Sequence, residues 1–218
     1  MNISRSQIAP HINIHYENPH RYMQAESALR MINHGVVGRK LIEEIKNFST
    51  EGKALSIEVN NQLMTAAYPM LTESQIKKFG VSASDFNEEH NEVANALANK
   101  KRFGRKGEGT SSIIKWNPSV ALHVKSNGKI IGTNDERESF ISLAHEMIHS
   151  YRMMKGTYLV DGSDRYNEGT NSAEEEARAV GLGKHANHEI TENKIRVEHG
   201  FQQRMKYQLD ENDITIGI

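Results

Sequence analysis

Apolar residues recur at spacings near three and four from Gln24 onward. Ala28, Leu29, Ile32, Val36, Leu41, Ile42 and Ile45 would share one helical face, with Gly35 and Gly38 as weak points or a break. The period then changes. Ala54-Leu55-Ser56-Ile57-Glu58-Val59 alternates and predicts a strand. Helical spacing returns over residues 72–100, with Val93, Ala94, Leu97 and Ala98 apolar and Ser84 or Asp85 as the cap. Two short strands follow, 113–116 and 120–124, split by the turn Asn117-Pro118-Ser119, and Ser126-Asn127-Gly128-Lys129 reads as a hairpin turn. There is no internal repeat.

The clearest element comes next. Thr133 and Asn134 are suitable N-caps, Asp135 and Glu136 suit a first turn, and Gly156 marks a stop. Between them Phe140, Leu143, Ala144, Met147, Ile148 and Tyr151 form an apolar stripe, predicting a helix of about six turns. His145-Glu146-Met147-Ile148-His149 lies in its middle. Residues four apart point the same way, so His145 and His149 can offer two imidazole nitrogens to one ion. Glu146, one step round, is suited to reach a metal-activated water rather than the metal. The competing reading is a pair of ordinary histidines beside a buried stripe.

Composition narrows the remaining ligands. The chain has 218 residues, 37% hydrophobic and 25% charged, enough for one domain with a core. It has no cysteine, so thiolate ligands, thiol nucleophiles and disulfides are excluded and any metal must use histidine or carboxylate. No apolar run approaches the roughly 20 residues of a membrane span. Lys plus Arg (27) balances Asp plus Glu (28), so overall charge points to neither nucleic acid nor an anionic membrane. Residues 100–112, KKRFGRKGEGTSS, are a short basic cluster with one aromatic, Phe103, and read as a solvated, flexible loop. Nucleic-acid binding through residues 100–106 is the weaker alternative.

A catalytic zinc needs a third protein ligand. Glu174, Glu175 and Glu176 precede Ala177-Arg178-Ala179-Val180-Gly181. Glu176, three after Ala173 and four before Val180, falls on the apolar side of a helix and is the first choice, with Glu175 the alternative. A solvated acidic patch at a helix start is the bland reading. Arg204 and Tyr207, three apart, would be neighbours on one helical face and could stabilise an oxyanion, or simply belong to a surface helix. His185 and His188, in a Gly- and Asn-flanked stretch, read as a solvated loop.

Residues 1–23, MNISRSQIAPHINIHYENPHRYM, are polar, have no acidic group before Glu17 and lack the apolar core of an export signal peptide. They read as a flexible N-terminal segment, with the polar, acid-poor opening of a type III secretion leader.

Three blocks in order, LAHEMIHSYRMMKG, EEEARAVGLG and ITENKIRVEHGFQQRMKY, resemble the small bacterial effector metallopeptidases typified by NleD, over roughly residues 134–207. Similar effectors occur in plant-pathogenic Pseudomonas. The same layout is similar to the clostridial neurotoxin light chains. The resemblance implies an α+β, zincin-like (gluzincin-type) fold, mostly helical, with a small sheet against the motif helix and residues 24–218 as one peptidase domain. It implies one zinc held by His145, His149 and Glu176, with Glu146 as general base and Arg204 and Tyr207 as transition-state stabilisers. Ala179 departs from the threonine expected there. The resemblance also implies type III delivery into the host-cell cytoplasm and a host protein substrate, a MAP kinase cut in its activation loop. We expect a monomer with no nucleic-acid or membrane partner. The alternative is a zinc-binding, non-catalytic module that grips a host protein.

Overall fold

Alternating apolar residues build the central sheet of the computed structural model, which describes residues 1–62, 64–84, 87–101 and 104–210. The strands are β1 (Asn2–Arg5), β2 (Ile12–Tyr16), β3 (Leu55–Val59), β4 (Ala66–Met70) and β5 (Ser111–Trp116), in the order β1-β2-β3-β5-β4. β2, β3 and β5 run parallel, while β1 and β4 are antiparallel at the two edges. Ile12, Ile14, Leu55, Ile57, Val59, Ile114 and Trp116 are all buried, the inward half of a period of two. A separate hairpin pairs β6 (Ala121–Val124) with β7 (Ile130–Thr133).

The flexible N-terminal segment expected over residues 1–23 is therefore corrected, because two of its stretches are strands. The polar composition hides the pair Ile12 and Ile14, which reach the core. The intervening loop is tied down by Ser6, whose hydroxyl accepts from the Ile8 and Ala9 N–H groups at 3.1 and 3.0 Å. The Glu26 carboxylate accepts from the Gln7 N–H at 2.9 Å. Backbone groups that a disordered segment would leave to water are met by protein.

Helix α1 (Pro19–His34) begins before Gln24, where Asn18 caps the Arg21 N–H and Pro19 occupies the first turn. The expected break falls at Gly35 alone, and Gly38 lies inside α2 (Val36–Phe48). A distant residue caps α2: the Glu198 carboxylate accepts from the Val37 and Gly38 N–H groups at 2.9 and 3.1 Å. Residues 72–100 form two helices, α3 (Glu73–Phe79), with a Thr72/Gln75 capping box, and α4 (Glu88–Ala98). The α4 cap is Asn87 rather than Ser84. Asp85 and Phe103 lie outside the described residues.

The motif helix α5 (Ser139–Lys155) is 17 residues long, shorter than expected, because Thr133 ends β7 and the following residues turn before the helix starts. Its Phe140, Leu143, Ala144, Met147 and Ile148 pack into the core shared with the sheet, α1 and α2. The Trp116 indole N–H donates to the Ser139 carbonyl at 3.2 Å and pins the helix start to the end of β5. The architecture is α+β, as expected, with a small sheet against α5.

The glycine-rich loop before β5 is only partly the solvated segment expected. Gly107 donates to the Gly156 carbonyl at 2.7 Å, Gly109 to Leu97 at 2.9 Å and Thr110 to Met153 at 3.2 Å. Gly156 ends α5 at φ 72, and a Cβ there would sit 2.3 Å from the Gly107 oxygen. Both the left-handed backbone and the close approach require glycine. Gly156→Ala should cost more than about 1 kcal/mol, measured by chemical unfolding; an unchanged midpoint would show that the loop yields freely.

Candidate active site

Two helices and one short helix start bring the site together. His145 and His149 stand one turn apart on α5. Helix α6 (Asn171–Val180) presents Glu175 and Glu176, both buried, its start capped by Thr170 on the Ala173 N–H. It ends at Gly181, φ 88, where a Cβ would lie 2.8 Å from the Thr191 Cβ. That close packing sets Thr191 as the cap of α7 (Glu192–Glu198) and turns Glu192 under the site.

The Nε2 atoms of His145 and His149 are 3.0 Å apart, and Glu176 Oε2 lies 3.1 Å from each. Ligand atoms about 2.0 Å from a tetrahedral zinc ion are separated by about 3.3 Å. This triangle therefore fits three corners of such a set, and these three residues form a group that could hold a metal ion. Glu175, the alternative ligand, instead faces the other nitrogen of His149: its Oε1 is 3.2 Å from Nδ1. Glu192 Oε2 does the same for His145 at 2.8 Å. A carboxylate on each Nδ1 fixes that nitrogen as the N–H donor and leaves Nε2 free to ligate.

Both supporting carboxylates are themselves paired. Glu175 accepts from Arg152 at 2.7 Å and Arg178 at 2.8 Å. Glu192 accepts from Arg196 at 2.6 Å and Arg204 at 3.0 Å. All this is nearly sealed from water, with Glu192, Arg196 and Arg204 no more than 2% exposed. Burial alone would neutralise Glu192, but Arg204 and Arg196 hold its pKa well below the carboxylate range. Burial works against Glu175 too, and Arg152 with His149 outweighs it. Burial likewise penalises ionised Glu176, yet the two histidines keep it anionic. Burial disfavours the charged His149 ring, but Glu176 and Glu175 raise its pKa to about 10.

Glu146 projects the other way, toward β4, and accepts the Ala67 N–H at 2.8 Å. Burial raises its pKa, against the pull of His149 and His145. It lines a cleft of about 180 Å³ together with His145, Leu122, Arg165 and Tyr207. The Tyr207 ring stacks over His145, centroids 6.4 Å apart, and Arg165 lines the same cleft. Burial, followed by the Glu176 charge, raises the phenol's pKa, so it stays a proton donor.

Arg204 and Tyr207 are not on a helix, as expected from their spacing, but in an irregular segment. Asn193 anchors it, exchanging hydrogen bonds of 2.8 and 2.7 Å with the Arg204 backbone. The Arg204 guanidinium is engaged by Glu192 and the Tyr207 carbonyl and lies 5.2 Å from the Tyr207 ring. His185 departs from expectation as well: it is buried in a one-turn helix, Gly183–His185, and bonded to Glu174 at 3.0 Å.

Sequence reasoning missed Glu192, Arg196, Arg165 and the Glu175 pairs. Thr191-Glu192 reads as an ordinary helix start, and Arg152 and Arg178 as ordinary basic residues near helix ends. The one available signal was the Glu175/Arg178 spacing of three.

The chain matches the family model Peptidase_M91, described as effector protein, over residues 12–207. No curated protein matches it. Among solved structures it is similar to the botulinum neurotoxin serotype HA light chain, at 12% identity and TM-score 0.46, covering 87% of this chain and 58% of that one. The Clostridium botulinum serotype F light chain aligns at 16% identity and TM-score 0.38, covering 62% and 36%. The type G light chain aligns at 13% identity and TM-score 0.42, covering 91% and 60%. The chain thus spans about a third to three-fifths of those light chains' length, and likeness at this level transfers no activity. The family match takes in the whole site from Ala67 to Tyr207, and the chain belongs to the Peptidase_M91 family of effector proteins.

Proposed function

We propose that this chain is a zinc-dependent endopeptidase, with His145, His149 and Glu176 as metal ligands and Glu146 as general base. The observation that carries it is the triangle of donor atoms, 3.0 to 3.1 Å on each side, with Glu146 beside it in the cleft. Bound there, zinc would supply Lewis-acid activation of a water and of the scissile carbonyl. Glu146 takes the proton of the attacking water and passes it to the leaving amine, a role suited by its raised pKa. The Ala67 N–H holds that carboxylate in line. The Tyr207 phenol, with Arg165 beside it, donates to the developing oxyanion. Arg204 acts through its neighbours, fixing Glu192 and the Tyr207 backbone, and is a positioning residue.

Membership of an effector family supports a host protein as substrate and action inside host cells. Type III delivery and a MAP kinase substrate are what the resemblance to NleD-like peptidases implies, and we carry both forward, with a monomer as the acting species. Residues 1–23 would serve as the leader during delivery and, once folded as β1, β2 and the start of α1, complete the peptidase domain formed with residues 24–218.

Metal content tests the reading. Purified protein should carry about one zinc per chain, as one closed set of three ligands predicts. His149→Ala and Glu176→Ala should each lose it or bind it far more weakly. A wild type that takes up no zinc when supplied with it would remove the metallopeptidase reading.

A further inference from the structure

A second cavity, of about 690 Å³, lies away from the cleft and shares no lining residue with it. The cleft adjoins β4, through the Ala67 contact to Glu146, whereas this cavity adjoins β1 and β2 at the opposite edge of the sheet. One wall is a stripe of α2, because Arg39, Glu43 and Lys46 recur at spacings of four and three. Arg5 closes one side from the end of β1, and Lys53 another from the turn before β3.

The charge here is lopsided. Arg5, Arg39, Lys46 and Lys53 face a single carboxylate, Glu43, in a protein whose overall net charge is −1. His11 also lines the cavity; burial lowers its pKa, against a hydrogen bond with Ile42, so it is neutral at pH 7 and leaves the balance unchanged. Among the described residues Arg5, Arg39 and Lys46 have no ion-pair partner, and Lys53 reaches only the Glu108 carbonyl, at 3.3 Å. Four like charges around one hollow repel one another, and the single Glu43 carboxylate offsets that repulsion only in part. Arg5, Arg39 and Lys46 are solvent-exposed, so packing does not require them.

We propose that this cavity binds a small soluble polyphosphate, carrying several phosphate groups on one compact frame. A concave hollow of this size suits a small molecule. Guanidinium forks bind phosphate oxygens in pairs and lysines add point charge, so two or more phosphates can be met at once. The position across the sheet from the cleft argues against a stretch of substrate near the scissile bond. The ligand would bridge β1, α2 and the turn before β3, and so stabilise the folded chain.

The test is calorimetric titration of the full chain at about 0.15 M salt with inositol hexakisphosphate, ATP and inorganic phosphate. A hexaglutamate peptide and vesicles bearing phosphatidylinositol bisphosphate complete the set. We expect inositol hexakisphosphate to bind with a Kd of about 10 µM or tighter, ATP more weakly and inorganic phosphate hardly at all, with the first raising the Tm. Arg39→Glu with Lys46→Glu should weaken binding at least about tenfold while the protein without ligand keeps its Tm. Lys77→Glu, on exposed α3, should change nothing. Absence of binding overturns the proposal, and so does binding that survives the double reversal. Tighter capture of hexaglutamate, or binding to vesicles without binding to the soluble polyphosphates, would also overturn it by assigning the surface to protein or membrane.

Discussion

Glu146→Gln should lower peptidase activity by about a thousandfold while leaving zinc content at the wild-type value. The amide keeps the size of the side chain but cannot take a proton from water. The fold should be unaffected, because Glu146 is partly open to the cleft and, among the described residues, its hydrogen bond is to the Ala67 N–H, which the amide oxygen can still accept. Activity on a peptide substrate and zinc content need to be measured on the same preparation. Loss of both would mean that Glu146 is structural. Loss of neither would mean that another group is the base. If the effect on host cells survives while peptide cleavage is lost, the protein acts by gripping its target and not by cutting it.

Glu192→Gln should be the most destabilising conservative change in the site, by about 3 kcal/mol. In the wild type one carboxylate meets Arg196, Arg204 and His145 in a region almost without water. Removing its charge leaves two buried guanidinium groups facing each other without a counter-charge. For a chain of this size that corresponds to a Tm lower by about 10 °C. Zinc affinity should fall about 10- to 100-fold as well, since His145 exchanges a charged carboxylate acceptor for a neutral amide with one oxygen to share among His145, Arg196 and Arg204. Adding Arg196→Met should recover part of the stability, because it removes one of the unpaired charges; zinc affinity should stay low. A Tm within a degree or two of wild type in Glu192→Gln would show that the cluster is not held by charge.

Local patterns were sound guides where the element is set by its own residues. The alternation in β3, the stripe of α5 and the stop at Gly156 depend on near neighbours. They were misread where a distant group decides. The break at Gly35 rather than Gly38 follows from a cap supplied by Glu198, 160 residues away along the chain. The order of residues 1–23 follows from strand pairing with β3 and from Glu26. Arg204 and Tyr207 looked like one helix face but are held by Asn193 and Glu192 in an irregular segment.

The site divides along the same line. Helical spacing by itself brought His145 and His149 to one side of a helix and Glu146 next to them, because 3.6 residues per turn is a local property of the backbone. Glu176 was also expected on the apolar face of α6, and it is Glu176 that joins the histidine pair, but burial does not distinguish it from Glu175, which is buried as deeply. Only the tertiary structure decided what each remaining carboxylate does. Glu175 and Glu192 are as acidic as Glu176 in sequence, and each has partners from other elements, Arg152 and His149 of α5 for the one and His145 of α5 and Arg204 of the irregular segment for the other. Which nitrogen of each histidine is free to ligate depends on contacts made across the fold, and charge pairing between distant residues leaves no period to read along a chain.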